Sequence, residues 1–198
     1  MFRTLAYLAP LAAGFGVAAA LALTAGRPPR RRALAAASVL GGAVLLLGIA
    51  ALGGSFVAWI KVSILLAAFS GLVAGLYLLG ESCGLPREAS QIVSGVAVVA
   101  LMSTVFWAAP LIRDSDDQSR ETTYPRITRA IGVNPFLVMG YSIFDYAPLH
   151  TEGLRGLGLH DYQFDRPHWG STSGGYALFG LLFAGAAWSI RALRGRKE

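Results

Sequence analysis

The chain has 198 residues, of which 55% are hydrophobic and 14% charged, with 17 basic against 11 acidic side chains and one cysteine. Its mean hydropathy is +0.55. A soluble domain carries about a quarter charged residues, so the composition excludes a soluble globular enzyme, a disulfide scaffold and a disordered tail protein. The net charge of +6 is no nucleic-acid footprint, because basic residues flanking membrane spans raise the charge without any nucleic acid. The lone Cys83 reads as a small apolar packing residue.

A hydrocarbon core about 30 Å thick needs about 20 apolar residues per helix. Five stretches meet that length: residues 5–25, 34–52, 56–80, 91–112 and 174–193. Strand-type alternation is absent, which argues against an outer-membrane barrel. The expected fold is an all-α polytopic helix bundle embedded in the lipid bilayer. Residues 1–112 carry four spans, residues 113–173 form an external segment, and residues 174–198 hold the last span and a basic tail. Gly53-Gly54-Ser55 is the only turn between the second and third spans. Residues 1–22 also read as a signal peptide with an Ala20-Leu21-Ala22 cleavage site. Cleavage there would leave an arginine cluster on the translocated side, where such clusters are disfavoured.

Basic residues set the orientation. Residues 27–32 hold four arginines, and the tail holds Arg191, Arg194, Arg196 and Lys197, so eight of the 17 basic residues lie in two short segments. Both segments are expected in the cytoplasm, with the N-terminus outside. The connection 81–90 is then cytoplasmic and residues 113–173 are external. That segment holds six arginines and eight acids, without the positive bias of a cytoplasmic loop. The expected location is the bacterial inner membrane.

Without a hydrophobic drive in lipid, helices associate by close backbone approach. Gly71-x-x-x-Gly75 in the third span and Gly180-x-x-x-Ala184 in the last are the matching motifs. Gly71 and Gly75 serve either packing within one bundle or an interface with a second copy or partner subunit. Lys61, the one charge inside a clear span, either snorkels to the headgroups or faces a polar cavity or an external acid.

Within the external segment, Asn134-Pro135-Phe136 opens an apolar helix over 135–144, with Asn134 as N-cap and Pro135 in the first turn. At about 15 Å it is too short to span and reads as a re-entrant or interfacial helix. Residues 124–131 form a second short helix, giving a hairpin broken at Gly132–Asn134. His160, Asp161, Asp165 and His168 match no standard metal spacing and read as an interfacial loop. Ser171, Thr172 and Ser173 read as caps of the final helix. Ser173-Gly174 partly matches an intramembrane serine-protease motif, but no histidine follows it on a later span. There is no phosphate-binding loop and no haem motif. No catalytic residue, cofactor or metal is therefore assigned.

The half of the chain from residue 96 onward resembles the C-terminal end of permeases from type-2 ATP-binding-cassette exporters. There a penultimate span exits outward, short re-entrant helices follow, often near an Asn-Pro, and a last span returns to a basic cytoplasmic tail. The matching pieces are residues 96–112, Arg129-x4-Asn134-Pro135-Phe136 with 137–144, and 176–197. Family members usually have six spans and an amphipathic start, which this chain lacks. The resemblance implies a permease-like subunit working with a separate ATPase, alone or as a homodimer or paired permease. The coupling candidate is Leu85, Pro86, Arg87 and Glu88, where Pro86 sits near a helix start; an ordinary inter-helix turn fits the same residues. The other reading is a non-catalytic accessory subunit of a different membrane complex.

Overall fold

The computed structural model of the chain describes residues 2–50, 56–113, 120–144 and 165–194. The Gly53–Ser55 turn, most of the polar stretch 114–121, residues 160–164 and the end of the basic tail lie outside the described residues. The structure is all-helical, without a strand among the described residues. Its elements are α1 (Phe2–Leu23), α2 (Pro29–Ala50), α3 (Phe56–Ser82), α4 (Arg87–Met102), α5 (Thr104–Arg113), α6 (Arg120–Gly132) and α7 (Pro135–Val138). A π-helical turn, Met139–Ile143, continues α7, and α8 (Trp169–Arg194) closes the described chain.

Two helices, α3 and α8, are long and apolar enough to cross a membrane, and α4 with α5 adds a third if the pair bent by 59° is one span. The apolar helix Leu8–Leu23 falls in a shorter class. Expected boundaries shift at several helix starts, two of which matter here. Arg31 and Arg32 lie in the first turns of α2 rather than in a loop. The last helix starts at Trp169, ahead of the expected residue 174.

The central seam joins α3 and α8, which run parallel. Lys61 lies over the Trp169 ring, 5.8 Å from its centroid, where the helices begin. Glu81 meets Arg191 where they end. Twenty residues separate Lys61 from Glu81, an axial rise of about 30 Å. Midway, the backbones touch. A Cβ on Gly75 would sit 2.6 Å from the Gly180 carbonyl oxygen, and one on Gly180 2.9 Å from the Gly71 carbonyl. No side chain fits there, which is the close approach that small residues supply. Gly71 itself is exposed and its missing Cβ points into open space. Lys61 thus meets an aromatic face as a cation–π partner at this end of the helices.

Phe69 of α3 occupies the middle of the bundle, fully buried. Its ring meets Tyr176 of α8 at 5.4 Å, and it faces Gly14 of α1 beside Val98 of α4. Leu65, Leu66 and Val73 complete this layer. By contrast, Leu178, Leu181, Leu182 and Trp188 of α8 are exposed, an apolar outer face suited to lipid chains.

The seam yields a paired expectation. Gly75→Leu forces α3 from α8 and lowers stability by about 1–3 kcal/mol, as overpacking does. Gly71→Ala changes it by less than about 0.5 kcal/mol. Thermal unfolding in detergent distinguishes the two, and equal losses would contradict the seam.

Candidate functional site

The span expected at 91–112 is not straight. Ser103 interrupts it, because hydroxyls near the break compete for helix carbonyls. Ser103 Oγ donates to Val99 O at 2.7 Å, and Thr104 Oγ1 donates to Leu101 O at 2.5 Å. A helix end leaves four carbonyls without intrahelical partners, and here each one is met. Val99 O accepts from the Ser103 backbone N–H at 2.8 Å as well as from its hydroxyl, Leu101 O from Thr104, and Ala100 O from the Trp107 indole at 3.1 Å. Met102 O accepts from Asn134 Nδ2 at 2.7 Å, a residue 32 positions away.

Asn134 acts in two directions. While its amide nitrogen closes α4, its Oδ1 accepts from the backbone N–H groups of Phe136 and Leu137 at 3.0 and 3.2 Å. Asparagine alone among the usual capping residues offers a donor and an acceptor in one planar group. Only 2% exposed, it joins the end of α4 to the start of α7. Pro135 follows in the first turn, where a missing N–H costs nothing.

The apolar helix α7 and its π-helical turn do not lie on a surface. Residues from Pro135 to Tyr141 are buried. Phe136, Leu137, Val138 and Met139 belong to the same core cluster as Phe69 and Val98. The short helix is therefore packed into the helix bundle and not laid on its outer surface. The reason is packing: the continuous apolar run from Pro135 to Met139 has no polar face to present to water.

α8 secures the other half of the hairpin. Thr172 Oγ1 donates to Gly132 O at 2.8 Å, and Tyr176 OH donates to Val133 O at 2.6 Å. In return, Trp169 N–H donates to Ser142 Oγ at 3.0 Å. Ser171, Thr172 and Ser173 are therefore not caps. They lie inside α8 and bond back to carbonyls, Ser171 to His168 O and Ser173 to Trp169 O, both at 2.8 Å.

At the opposite end, Glu81 gathers three helices. Its Oε2 accepts from Arg32 of α2 at 3.0 Å and from Arg191 of α8 at 3.1 Å. Tyr77 OH donates to Oε1 at 3.4 Å. A carboxylate at a helix C-terminus opposes the macrodipole, and the two guanidinium groups offset that cost. Next to this joint, Cys83, Gly84, Leu85, Pro86, Arg87 and Glu88 are all exposed. Gly84 turns the chain with φ of 91°, a conformation open to glycine at no steric cost. Pro86 occupies the N-cap position of α4 without a side-chain cap, and Glu88 stands in the first turn, where the dipole favours a carboxylate.

Of the residues singled out from sequence, Asn134, Pro135 and Phe136 sit together in the buried hairpin. Leu85 to Glu88 sit together in the exposed turn, and Gly75 sits in the α3–α8 seam. His168 stacks beside Trp169 with ring centroids 6.0 Å apart, and Asp165 is exposed, while His160 and Asp161 lie outside the described residues. Among the described residues no group of three His, Cys, Asp or Glu side chains forms a metal cage. The joint at Glu81 and the long-range bonds of Thr172 and Tyr176 escaped sequence reasoning. Glu81 carried one signal, an acid closing a long apolar run opposite two arginine clusters. The chain matches no protein-family model, no curated protein and no solved structure.

Asn134 supports a sharp expectation. Asn134→Ala loses a helix cap and strands the part-buried Met102 carbonyl, together costing about 1–3 kcal/mol. Asn134→Asp keeps the cap but turns a carboxylate oxygen toward Met102 O, so stability stays below that of the wild-type chain. Thermal unfolding in detergent checks both; full stability of the Asp variant would disprove the donor role.

Proposed function

We propose that the chain is a non-catalytic, membrane-spanning permease-like subunit of an ATP-driven export complex, working with a separate ATPase. The observation that carries this reading is the exposed 83–88 turn, mounted on helices whose ends Glu81 locks together. A turn that transmits force to a bundle needs a stiff base, and the Glu81 joint supplies one. Arg27, Arg31, Arg87 and Arg194 are all exposed around the same end, the charge bias of a cytoplasmic face. The buried α7 and its π-helical turn support the same reading, since irregular backbone at membrane depth survives only when enclosed by protein.

In this arrangement about five helices cross the bacterial inner membrane, α1, α2, α3, the bent α4–α5 pair and α8. The N-terminus is outside and the C-terminus cytoplasmic. The working motion is rigid-body movement of the spans around the turn. The second reading, an accessory subunit of another membrane complex, draws on the packed middle of the bundle, where Leu65, Leu66, Phe69 and Val73 are fully buried.

Two measurements test the proposal. A membrane-impermeant maleimide should label native Cys83, which is exposed, only after cells are permeabilised. Asp165→Cys in a Cys83→Ser background should label in intact cells, and labelling of both from one side would overturn the topology. Affinity purification of the tagged chain from its native membrane should retain an ATPase. Arg87→Glu combined with Glu88→Lys should release it while the protein stays folded. Recovery of other membrane proteins without an ATPase would favour the accessory reading.

A further inference from the structure

The end of the bundle that carries the 83–88 turn is crowded with cations. Arg27, Arg31, Arg32, Arg87, Arg191 and Arg194 gather there with two described acids, Glu81 and Glu88. Arg32 and Arg191 pair with Glu81. The other four arginines are exposed, and their side chains make no ion pair or hydrogen bond among the described residues.

Two of the four reach across helix boundaries. Gly26 and Gly84 turn the chain with positive φ, and each lies beneath a guanidinium from another helix. Arg87 Nη2 of α4 sits 3.6 Å from the position a Cβ on Gly26 would take, and Arg194 Nη2 of α8 sits 3.6 Å from that of Gly84. The cations thus form one band, from the α1–α2 connection through the start of α4 to the end of α8. Repulsion within such a band falls when anions join it.

Apolar side chains flank the band. Leu23 of α1, Leu34 of α2, Ile92 of α4 and Leu193 of α8 are between 63% and 83% exposed, each within five residues of one of the four unpaired arginines. This is the pattern of a membrane interface, where long basic side chains lay their stems on apolar surface and keep the charge at headgroup level. An acidic segment of a soluble partner meets the arginines but covers only part of an apolar fringe divided among four helices. Headgroups and acyl chains reach all four.

We propose that this arginine band binds anionic phospholipids of the leaflet at the 83–88 end, with lipid phosphates on Arg27, Arg31, Arg87 and Arg194 and acyl chains against the neighbouring apolar side chains. The planar guanidinium fork matches phosphate oxygens. Bound headgroups neutralise the band and hold the ends of α1, α2, α4 and α8 at one depth in the bilayer. The inference rests on membrane insertion and not on pairing with an ATPase. The test variants leave Arg87 and Glu88 unchanged, so retention of lipid and retention of an ATPase report separately.

The test is native mass spectrometry of the purified full chain in detergent, titrated with phosphatidylglycerol or phosphatidylcholine. The wild-type chain should retain phosphatidylglycerol in preference to phosphatidylcholine. Each basic residue at an anionic surface is worth about a five-fold change in binding. Arg31→Gln with Arg194→Gln should therefore weaken retention of phosphatidylglycerol about ten-fold or more, while Arg31→Lys with Arg194→Lys, which keeps both charges, should lose less. Arg126 and Arg129 are exposed at the opposite end of the bundle. Arg126→Gln with Arg129→Gln removes the same charge and should leave retention unchanged. Three results would each overturn the proposal. They are equal retention of the two lipids, the same retention by the two glutamine variants, or displacement of the lipid by a soluble polyglutamate peptide at equal concentration.

Discussion

The structure turns on one side-chain amide. Ser103 breaks α4 from α5, and the break leaves the carbonyls that end α4 in need of partners. Each unsatisfied one costs about 1–3 kcal/mol. Local hydroxyls and the Trp107 indole meet three of them. The fourth, Met102 O, is met only because Asn134 arrives from 32 residues away. Since the same amide caps α7, the break and the inserted hairpin require one another. Neither is affordable alone.

From that weld, order spreads into α8. The carbonyls ending α6 are taken by Thr172 and Tyr176, so the hairpin is fixed to the helix that also forms the central seam. α8 in turn lies along α3 at backbone contact through Gly75 and Gly180. Its far end is tied by Arg191 to Glu81. Contacts therefore run without a break from the 83–88 turn through Glu81, α3 and α8 to the α6–α7 hairpin and the end of α4.

The sequence resolved some parts of this arrangement and missed others for identifiable reasons. The cap at Asn134 was legible because Asn-Pro before an apolar run is a local signal, and its Oδ1 bonds lie within three residues. Its second bond was not, since nothing in the neighbourhood of Asn134 points to Met102. The break at Ser103 left a faint mark, the Ser103-Thr104 pair inside an apolar run with Pro110 downstream. Hydropathy averages over such a pair, so the stretch read as one straight span. Likewise Ser171 to Ser173 suited a helix start, and only the carbonyls of Gly132, His168 and Trp169 show why they lie inside α8 instead. Gly71 and Gly75 form one motif in sequence, yet Gly75 closes the seam while the Cβ position of Gly71 faces open space.

Composition and period by themselves determined an all-helical chain, its main apolar helices, the concentration of arginine at two short segments, and a short capped helix at Pro135. These follow from local energetics: transfer of apolar side chains, helix capping and charge near span ends each act within a few turns. Tertiary structure alone decided that the short helix is buried, that α3 and α8 run parallel at backbone contact, and that Glu81 joins α2, α3 and α8. Those features depend on polar groups finding partners far along the chain, and the sequence states which groups need partners without stating where they are found.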